Sequence, residues 1–258
     1  MTDLFDLSEK VAVVTGGGGL IGEQVCRRLA DQGATVVVVD TDTDSGERLA
    51  VDVGANAHFR AFDVTDGRSI EEMITWTADE FGSLDVLVNA AYPRQDGYSG
   101  RYENLVLEDW WTNVDLHLTS YFYASYCASR VMMDQDTGGS IVNLGSIYGV
   151  QGPDFTVYEG TGITNSVEYA AIKGGIINLV RYMASYLGEH GVRVNAVSPG
   201  GVFDGQDETF VDSYEQRTPL GRMANPDDVA GPVVFLAADA SAYVTGHNLV
   251  VDGGWTIR

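Results

Sequence analysis

Short runs rich in Val, Ile and Leu recur along this chain, and each is followed by a segment with helical patterning. Strands are expected at residues 11–15, 35–40, 58–63, 85–89, 140–144, 193–198 and 247–251. Helices are expected at 20–32, 66–81, 108–133, 166–190 and 226–238. Uninterrupted apolar runs mark strands buried on both faces. Their alternation with helices predicts an α/β fold, a doubly wound seven-stranded parallel sheet with right-handed crossovers and helices on both faces. The 258 residues show no Pro- or Ser-rich linker and no internal repeat, so a single domain over 1–258 is expected. Ligands of such sheets bind beyond the carboxyl ends of the strands. Those ends are where chemistry is to be sought.

The first strand runs into Thr15-Gly16-Gly17-Gly18-Gly19-Leu20-Ile21-Gly22 and then a helix. Glycines there permit a tight turn and let backbone amides approach a diphosphate at the helix N-terminus. Gly16, Gly19, Leu20, Ile21 and Gly22 are the expected cofactor cradle. The second strand ends at Asp40, 18 residues after Gly22. An acid at that place accepts hydrogen bonds from ribose hydroxyls and repels a 2′-phosphate. Asp42 and Asp44 add to the repulsion, and no Arg or Lys is expected nearby to receive that phosphate. The expected cofactor is therefore NAD(H) rather than NADP(H); the plainer alternative is a solvated strand-end carboxylate. Asp63 and Val64 follow the third strand, where an adenine would lie. Asn89, Ala90 and Ala91 follow the fourth, beside the adenosine ribose.

The segment Tyr169-Ala170-Ala171-Ile172-Lys173 stands out because the chain has only two lysines, Lys10 and Lys173. Four residues apart on a helix places both side chains on one face. An ammonium beside a phenol stabilises the phenolate and lowers a pKa that starts near ~10. Such a tyrosine transfers protons near neutrality. An amphipathic surface helix is the plainer alternative for this segment taken alone.

Together with Ser146, Asn195-Ala196-Val197-Ser198-Pro199-Gly200 and Val251-Asp252-Gly253-Gly254, these residues resemble the short-chain dehydrogenase/reductase family in its single-domain, NAD-binding Rossmann branch. The resemblance covers essentially the whole chain. It implies that Ser146, Tyr169 and Lys173 form the catalytic core. Tyr169 would act as acid or base on the substrate oxygen, and Ser146 would hold that oxygen. Lys173 would lower the tyrosine pKa and bind the nicotinamide ribose. Pro199, Gly200 and Val202 fall where the family anchors the carboxamide through backbone groups. The resemblance also implies a homotetramer or homodimer built through helices 108–133 and 166–190 and the C-terminal strand region, with Tyr121, Phe122, Tyr123 and Tyr126 suiting either that surface or a core.

The chain departs from the family pattern in three places. Leu20 stands where a glycine is usual, giving a spacing that looks like the two-domain nucleotide-sugar epimerase branch. The position of the family's fourth catalytic residue, an asparagine, falls on His117 when Phe122 is used to align. His117 would then support the proton relay from the lysine; a packed helix histidine, or a shifted alignment, is the alternative. Finally, Ser146 and Tyr169 are 23 residues apart, well beyond the family's usual interval. The extra residues, near 151–166, lie at the mouth of the site and are expected to shape specificity, unless they only lengthen a surface loop. Residues 201–222 form the second expected substrate segment, with the part from 206 corresponding to the family's mobile closure.

Several strings, including Asn89-Ala90-Ala91-Tyr92-Pro93-Arg94, Ser146-Ile147-Tyr148-Gly149 and Tyr158-Glu159-Gly160, resemble flagellin-modification and nonulosonate (legionaminic-type) pathway oxidoreductases. A polar small-molecule substrate follows, with a sugar or other polyhydroxylated compound favoured. Arg94 would meet a phosphate or carboxylate, or else pair with a surface acid. Tyr92, Tyr148, Gln151 and Glu159 offer partners for hydroxyls. The expected activity is NAD(H)-dependent interconversion of a secondary alcohol and a ketone. The alternatives are a 3-oxoacyl carrier protein reductase and a non-catalytic NAD-binding subunit.

Charge narrows the partners. The formal net charge is −22, from 37 acids against two lysines and 13 arginines. This speaks against nucleic acid and against anionic membrane surfaces. An acid-rich, lysine-poor surface suits concentrated salt, where screening weakens self-repulsion; an ordinary acidic protein is the alternative. There is no apolar run of about 18 residues, and the acidic start, Met1-Thr2-Asp3, lacks the basic region of a signal peptide. Cys26 and Cys127 lack metal-ligand spacing and are expected to be buried thiols of a reducing compartment. A cytoplasmic protein without a metal is the resulting expectation.

Overall fold

In a computed structural model of the chain, residues 3–94 and 100–258 are described. Met1 and Thr2, part of the acidic start, lie outside them. Seven strands form one parallel sheet in the order β3-β2-β1-β4-β5-β6-β7. They are β1 (Val11–Thr15), β2 (Thr35–Asp40), β3 (Ala57–Ala61), β4 (Val86–Asn89), β5 (Gly139–Leu144), β6 (Val192–Pro199) and β7 (Asn248–Val251). The central strands β1, β2, β4 and β5 carry Val, Ile and Leu buried on both faces, as their unbroken apolar runs require.

Two apolar layers cover the sheet. On one face α1 (Leu20–Asp31) and α8 (Pro226–Ala237) bury Val25, Leu29, Val229 and Val233. On the other, α3 (Gly67–Phe81), α5 (Ser120–Asp134) and α6 (Val167–Leu187) bury Met73, Ala128, Met132 and Val180. Both faces are thus dry, and the strand order reverses between β1 and β4. That reversal opens a crevice at the carboxyl ends.

Two local features differ from the sequence expectation. A helix, α2 (Thr43–Val53), connects β2 to β3 where none is expected; the Asp42 carboxylate caps it by accepting from the Ser45 N–H at 3.2 Å. Its polar first turn hides the helical periodicity. The expected helix 108–133 is interrupted: α4 (Leu107–Val114) and α5 are joined by a π-helical turn, Asp115–Thr119. The segment 206–222, read from sequence as a loop-and-helix insertion, contains α7 (Glu208–Arg217). Among the described residues no helix is long and apolar enough to cross a membrane. Cys26 is buried as expected, but Cys127 is only half-buried, so burial describes one thiol of the two.

Candidate active site

The glycine turn closes on itself. Gly16 has φ +66°, and a Cβ there would lie 2.6 Å from the Ala91 Cα; a Cβ on Gly22 would lie 2.0 Å from the Gly16 carbonyl oxygen. No side chain fits at either position. The helix N-terminus therefore faces the crevice with its amides bare, the arrangement a diphosphate needs. Asp40 braces the turn: one carboxylate oxygen accepts from the Gly18 N–H at 3.0 Å and the other from the Asp42 N–H at 3.1 Å. It is half-buried rather than a solvated strand end, and a carboxylate retains lone pairs for two hydroxyls.

Beyond this turn opens a cavity of about 720 Å³, within the range of ligand pockets. Gly16, Gly19, Leu20, Ile21, Gly22, Asp40, Asp63, Val64, Ala90 and Ala91 line it, together with Tyr92, Arg94 and Asp204. Two expectations need correcting. Asn89 is buried, and its amide donates to Ser125 Oγ at 3.0 Å and to Asn143 Oδ1 at 2.9 Å. It ties β4 to β5 and α5 rather than facing a ligand, because the strand's alternation turns it inward. A cation also lies nearer the acidic cluster than the sequence suggests. Arg48 of the unforeseen α2 reaches to 3.5 Å of the Ser45 hydroxyl, beside Asp42, though it does not line the cavity.

Ser146, Tyr169 and Lys173 do not line this cavity; α6 carries Tyr169 and Lys173 against Tyr92, which does. A Cβ on Gly149 would lie 2.6 Å from the Lys173 backbone. The turn after Ser146 therefore packs directly on α6 at the lysine, and a larger residue would push the two apart. Ser146, 5% exposed, starts that turn and its Oγ accepts from the Tyr148 N–H at 3.1 Å.

Lys173 is only 4% exposed. Its ammonium donates to the Leu144 carbonyl at 2.7 Å and lies 3.3 Å from His117 Nε2. The rings of Tyr121, Tyr169 and Tyr92 surround it at 5.2, 5.7 and 6.0 Å, offering cation–π stabilisation. Burial lowers its pKa to about 7. His117, itself buried, is held well below the ordinary imidazole value, first by burial and then by the Lys173 charge. It is therefore neutral and able to accept from the ammonium. The π-helical turn inserts one extra residue and swings His117 under the lysine. The sequence placed His117 by alignment; the kink that makes the contact is not legible there. Tyr121, one turn on, is 2% exposed and belongs to this cluster, so of the two places the sequence allows it, interface or core, it takes the core, while Phe122 and Tyr126 are exposed.

Tyr92 joins the two ends of the crevice. Its ring meets His117 at 5.0 Å and Tyr169 at 5.7 Å, both edge-on, and the Arg94 guanidinium lies 5.2 Å from its centroid. On the far side of Tyr169 the ring of Tyr148 lies edge-on at 6.5 Å, and the Tyr148 and Tyr158 hydroxyls are 2.8 Å apart.

The inserted residues 151–166 are not a plain surface loop. They contain a 3₁₀ turn, Phe155–Tyr158, whose Val157 is 1% exposed. Tyr158 packs on Phe210 of α7 at 5.4 Å, and Asp154 forms an ion pair with Arg217 at the end of α7. Tyr214 stacks on Trp255 at 4.2 Å, closing an aromatic cluster beneath α7. Gln151 is half-buried and Glu159 exposed. Pro199 ends β6. Gly200 lines a separate small pocket with Tyr214 and Asp252, and the Val202 carbonyl accepts from the Gln206 amide at 2.9 Å.

The family profile described as enoyl-(acyl carrier protein) reductase matches residues 19–256. The chain belongs to the short-chain dehydrogenase/reductase family. It is 36% identical to the 3-oxoacyl-[acyl-carrier-protein] reductase FabG of Vibrio cholerae, over 96% of this chain and 98% of that one. It is 34% identical to D-threitol dehydrogenase of Mycolicibacterium smegmatis, over 98% and 95%. It is 30% identical to post-translational flagellin modification protein A of Campylobacter coli, over 96% and 99%. A short-chain dehydrogenase from Leptospira borgpetersenii, solved with bound NAD+, superposes with a TM-score of 0.88 at 32% identity, covering 99% of this chain and 96% of that one. This short-chain dehydrogenase/reductase is accordingly an oxidoreductase with a Rossmann-like fold.

Proposed function

We propose that this short-chain dehydrogenase/reductase interconverts a secondary alcohol and a ketone on a sugar or other polyhydroxylated small molecule, using NAD(H). The observation that carries the reading is Tyr92, which packs against Tyr169 and Lys173 and also lines the cavity beside the glycine turn and Asp40. The crevice suits a dinucleotide, because the bare helix N-terminus and the close Gly16–Gly22 contact leave room for a diphosphate and for nothing on a Cβ. Bound there, the nicotinamide ring supplies or accepts the hydride.

The chain's own groups handle the proton and the orientation. Ser146 holds the substrate oxygen toward Tyr169. Tyr169 gives its hydroxyl proton to that oxygen in reduction and takes it back in oxidation. Lys173, with charge available near neutrality, favours the phenolate, and His117 Nε2 receives or returns a proton at the lysine. The lysine and histidine touch directly, so this relay needs no bridging water between them. The Tyr148–Tyr158 hydroxyl pair beside Tyr169 supports a hydroxylated substrate, since two phenols sharing one hydrogen bond keep a further donor for a ligand.

The 3-oxoacyl reductase reading is disfavoured by two features. Asp40 would repel a 2′-phosphate, and a net charge of −22 would repel an acidic carrier protein. A cytoplasmic location, and assembly through the exposed aromatic faces of α5 and α6, belong to the same proposal. Phe122, Tyr126, Tyr182 and Tyr186 are each more than 40% exposed there.

The test is titration with NADH and NADPH, then turnover on a panel of polyols, including D-threitol, and acyl thioesters. NADH is expected to bind at least about tenfold more tightly, and Tyr169→Phe to lower kcat by roughly 10²–10⁴-fold. Wild-type activity in Tyr169→Phe, or thioester reduction with NADPH preferred, overturns the reading.

A further inference from the structure

The cavity that the glycine turn shares with Tyr92 is lined by four charged side chains among the described residues: Asp40, Asp63, Asp204 and Arg94. Three are negative, in a chain of net charge −22. A dinucleotide carries two negative charges in its middle, and a groove of this sign would repel them. Arg94 is the one cation lining it among the described residues.

Its position matches that need. The turn at Gly16 abuts the Ala90 and Ala91 backbone, and residues 90–94 continue from there along the cavity lining. Tyr92 lies between, with Arg94 at 5.2 Å from its ring and Tyr169 at 5.7 Å. Arg94 thus lines the same cavity as Asp40, which marks the adenosine end, and shares the Tyr92 ring with Tyr169, which marks the reacting end. In a dinucleotide stretched between those ends, the diphosphate is what lies midway. No carboxylate among the described residues forms an ion pair with Arg94. The guanidinium rests on an aromatic face, which orients a planar fork that matches phosphate oxygens.

The geometry points to Arg94 as a ligand of the cofactor's diphosphate, opposing the amides of α1, rather than as the anchor of an anionic substrate. The inference rests on the NAD(H) reading above. It moves Arg94 from substrate recognition to cofactor recognition and leaves substrate choice to the Tyr148–Tyr158 side of the site.

Binding of NADH, ADP-ribose and adenosine to wild type, Arg94→Gln and Arg94→Lys tests it, with NADH followed by fluorescence and the others by displacement. Arg94→Gln is expected to raise Kd for NADH and ADP-ribose about tenfold, with Arg94→Lys recovering part of the loss. Adenosine, lacking phosphate, should displace equally from all three proteins. The salt dependence of NADH binding should also be shallower in Arg94→Gln. Unchanged Kd for NADH and ADP-ribose overturns the inference, as does an equal loss for adenosine, which would mean general damage to the groove. A wild-type protein that fails to bind NADH overturns the cofactor reading instead. Circular dichroism and the melting temperature establish that each variant is folded.

Discussion

Lys173 is a buried cation in an acidic protein, and its cost has a definite pH dependence. Burial lowers its folded pKa from 10.5 to about 7. Between those values the unfolded chain binds more protons than the folded one, so this group makes stability rise with pH across that window. Lys173→Met removes both the charge and the dependence. The variant should gain stability over wild type near pH 6, by on the order of 3 kcal/mol after allowing for the orphaned Leu144 carbonyl, and the gain should shrink toward pH 10. Denaturant melts of both proteins across that range check it; a constant difference would show that burial does not penalise the ammonium. His117 invites a second substitution. His117→Asn keeps a neutral acceptor near the lysine but not the ring that reaches it, so kcat should fall about tenfold with KM little changed. A raised KM with constant kcat would assign His117 to substrate binding instead.

At the scale of elements, the site depends on close backbone approaches more than on side chains. Gly22→Ala would drive a methyl into the Gly16 carbonyl, so α1 must move off the turn. Loss of NADH binding by more than about tenfold is expected, with a stability loss of ~1–3 kcal/mol; normal binding would show that the turn is not the cradle. The insertion and α7 act as one wall, joined by Tyr158 on Phe210 and by Asp154 with Arg217. Tyr158→Phe keeps the packing and removes only the hydroxyl pair, and should raise KM for a polyol several-fold while kcat holds. These elements also show what was legible in advance. The sheet, the glycine turn, Asp40 and the Tyr169/Lys173 pair follow from strand periodicity and from local motifs. The Asp115–Thr119 turn does not, because a single inserted residue leaves no mark on helical patterning. Helix α2 was hidden by its polar first turn. Asn89 was misplaced because its motif names the backbone that lines the crevice, while its own side chain faces inward.

For the whole molecule, charge is the dominant surface property. The ion pairs Arg27–Glu23, Arg28–Asp227 and Arg222–Asp228 are all substantially exposed. Each contributes at most about 1 kcal/mol and is screened by salt. Repulsion among 37 acids against 15 basic side chains is the larger quantity, and salt relieves it. We expect the melting temperature to rise by about 5 °C or more between dilute buffer and molar KCl; an unchanged value would remove the case for salt adaptation. The two lysines have a further consequence. Lys10 precedes β1, at the opposite end of the sheet from the crevice, and its side chain is 34% exposed beside Asp85. Lys173 is sealed beneath three tyrosine rings. Apart from the chain's own amino terminus, amine-reactive dyes, cross-linkers and activated resins therefore find a single accessible side chain, on the face away from the chemistry. Coupling through it yields a uniformly oriented protein with its crevice open to solvent.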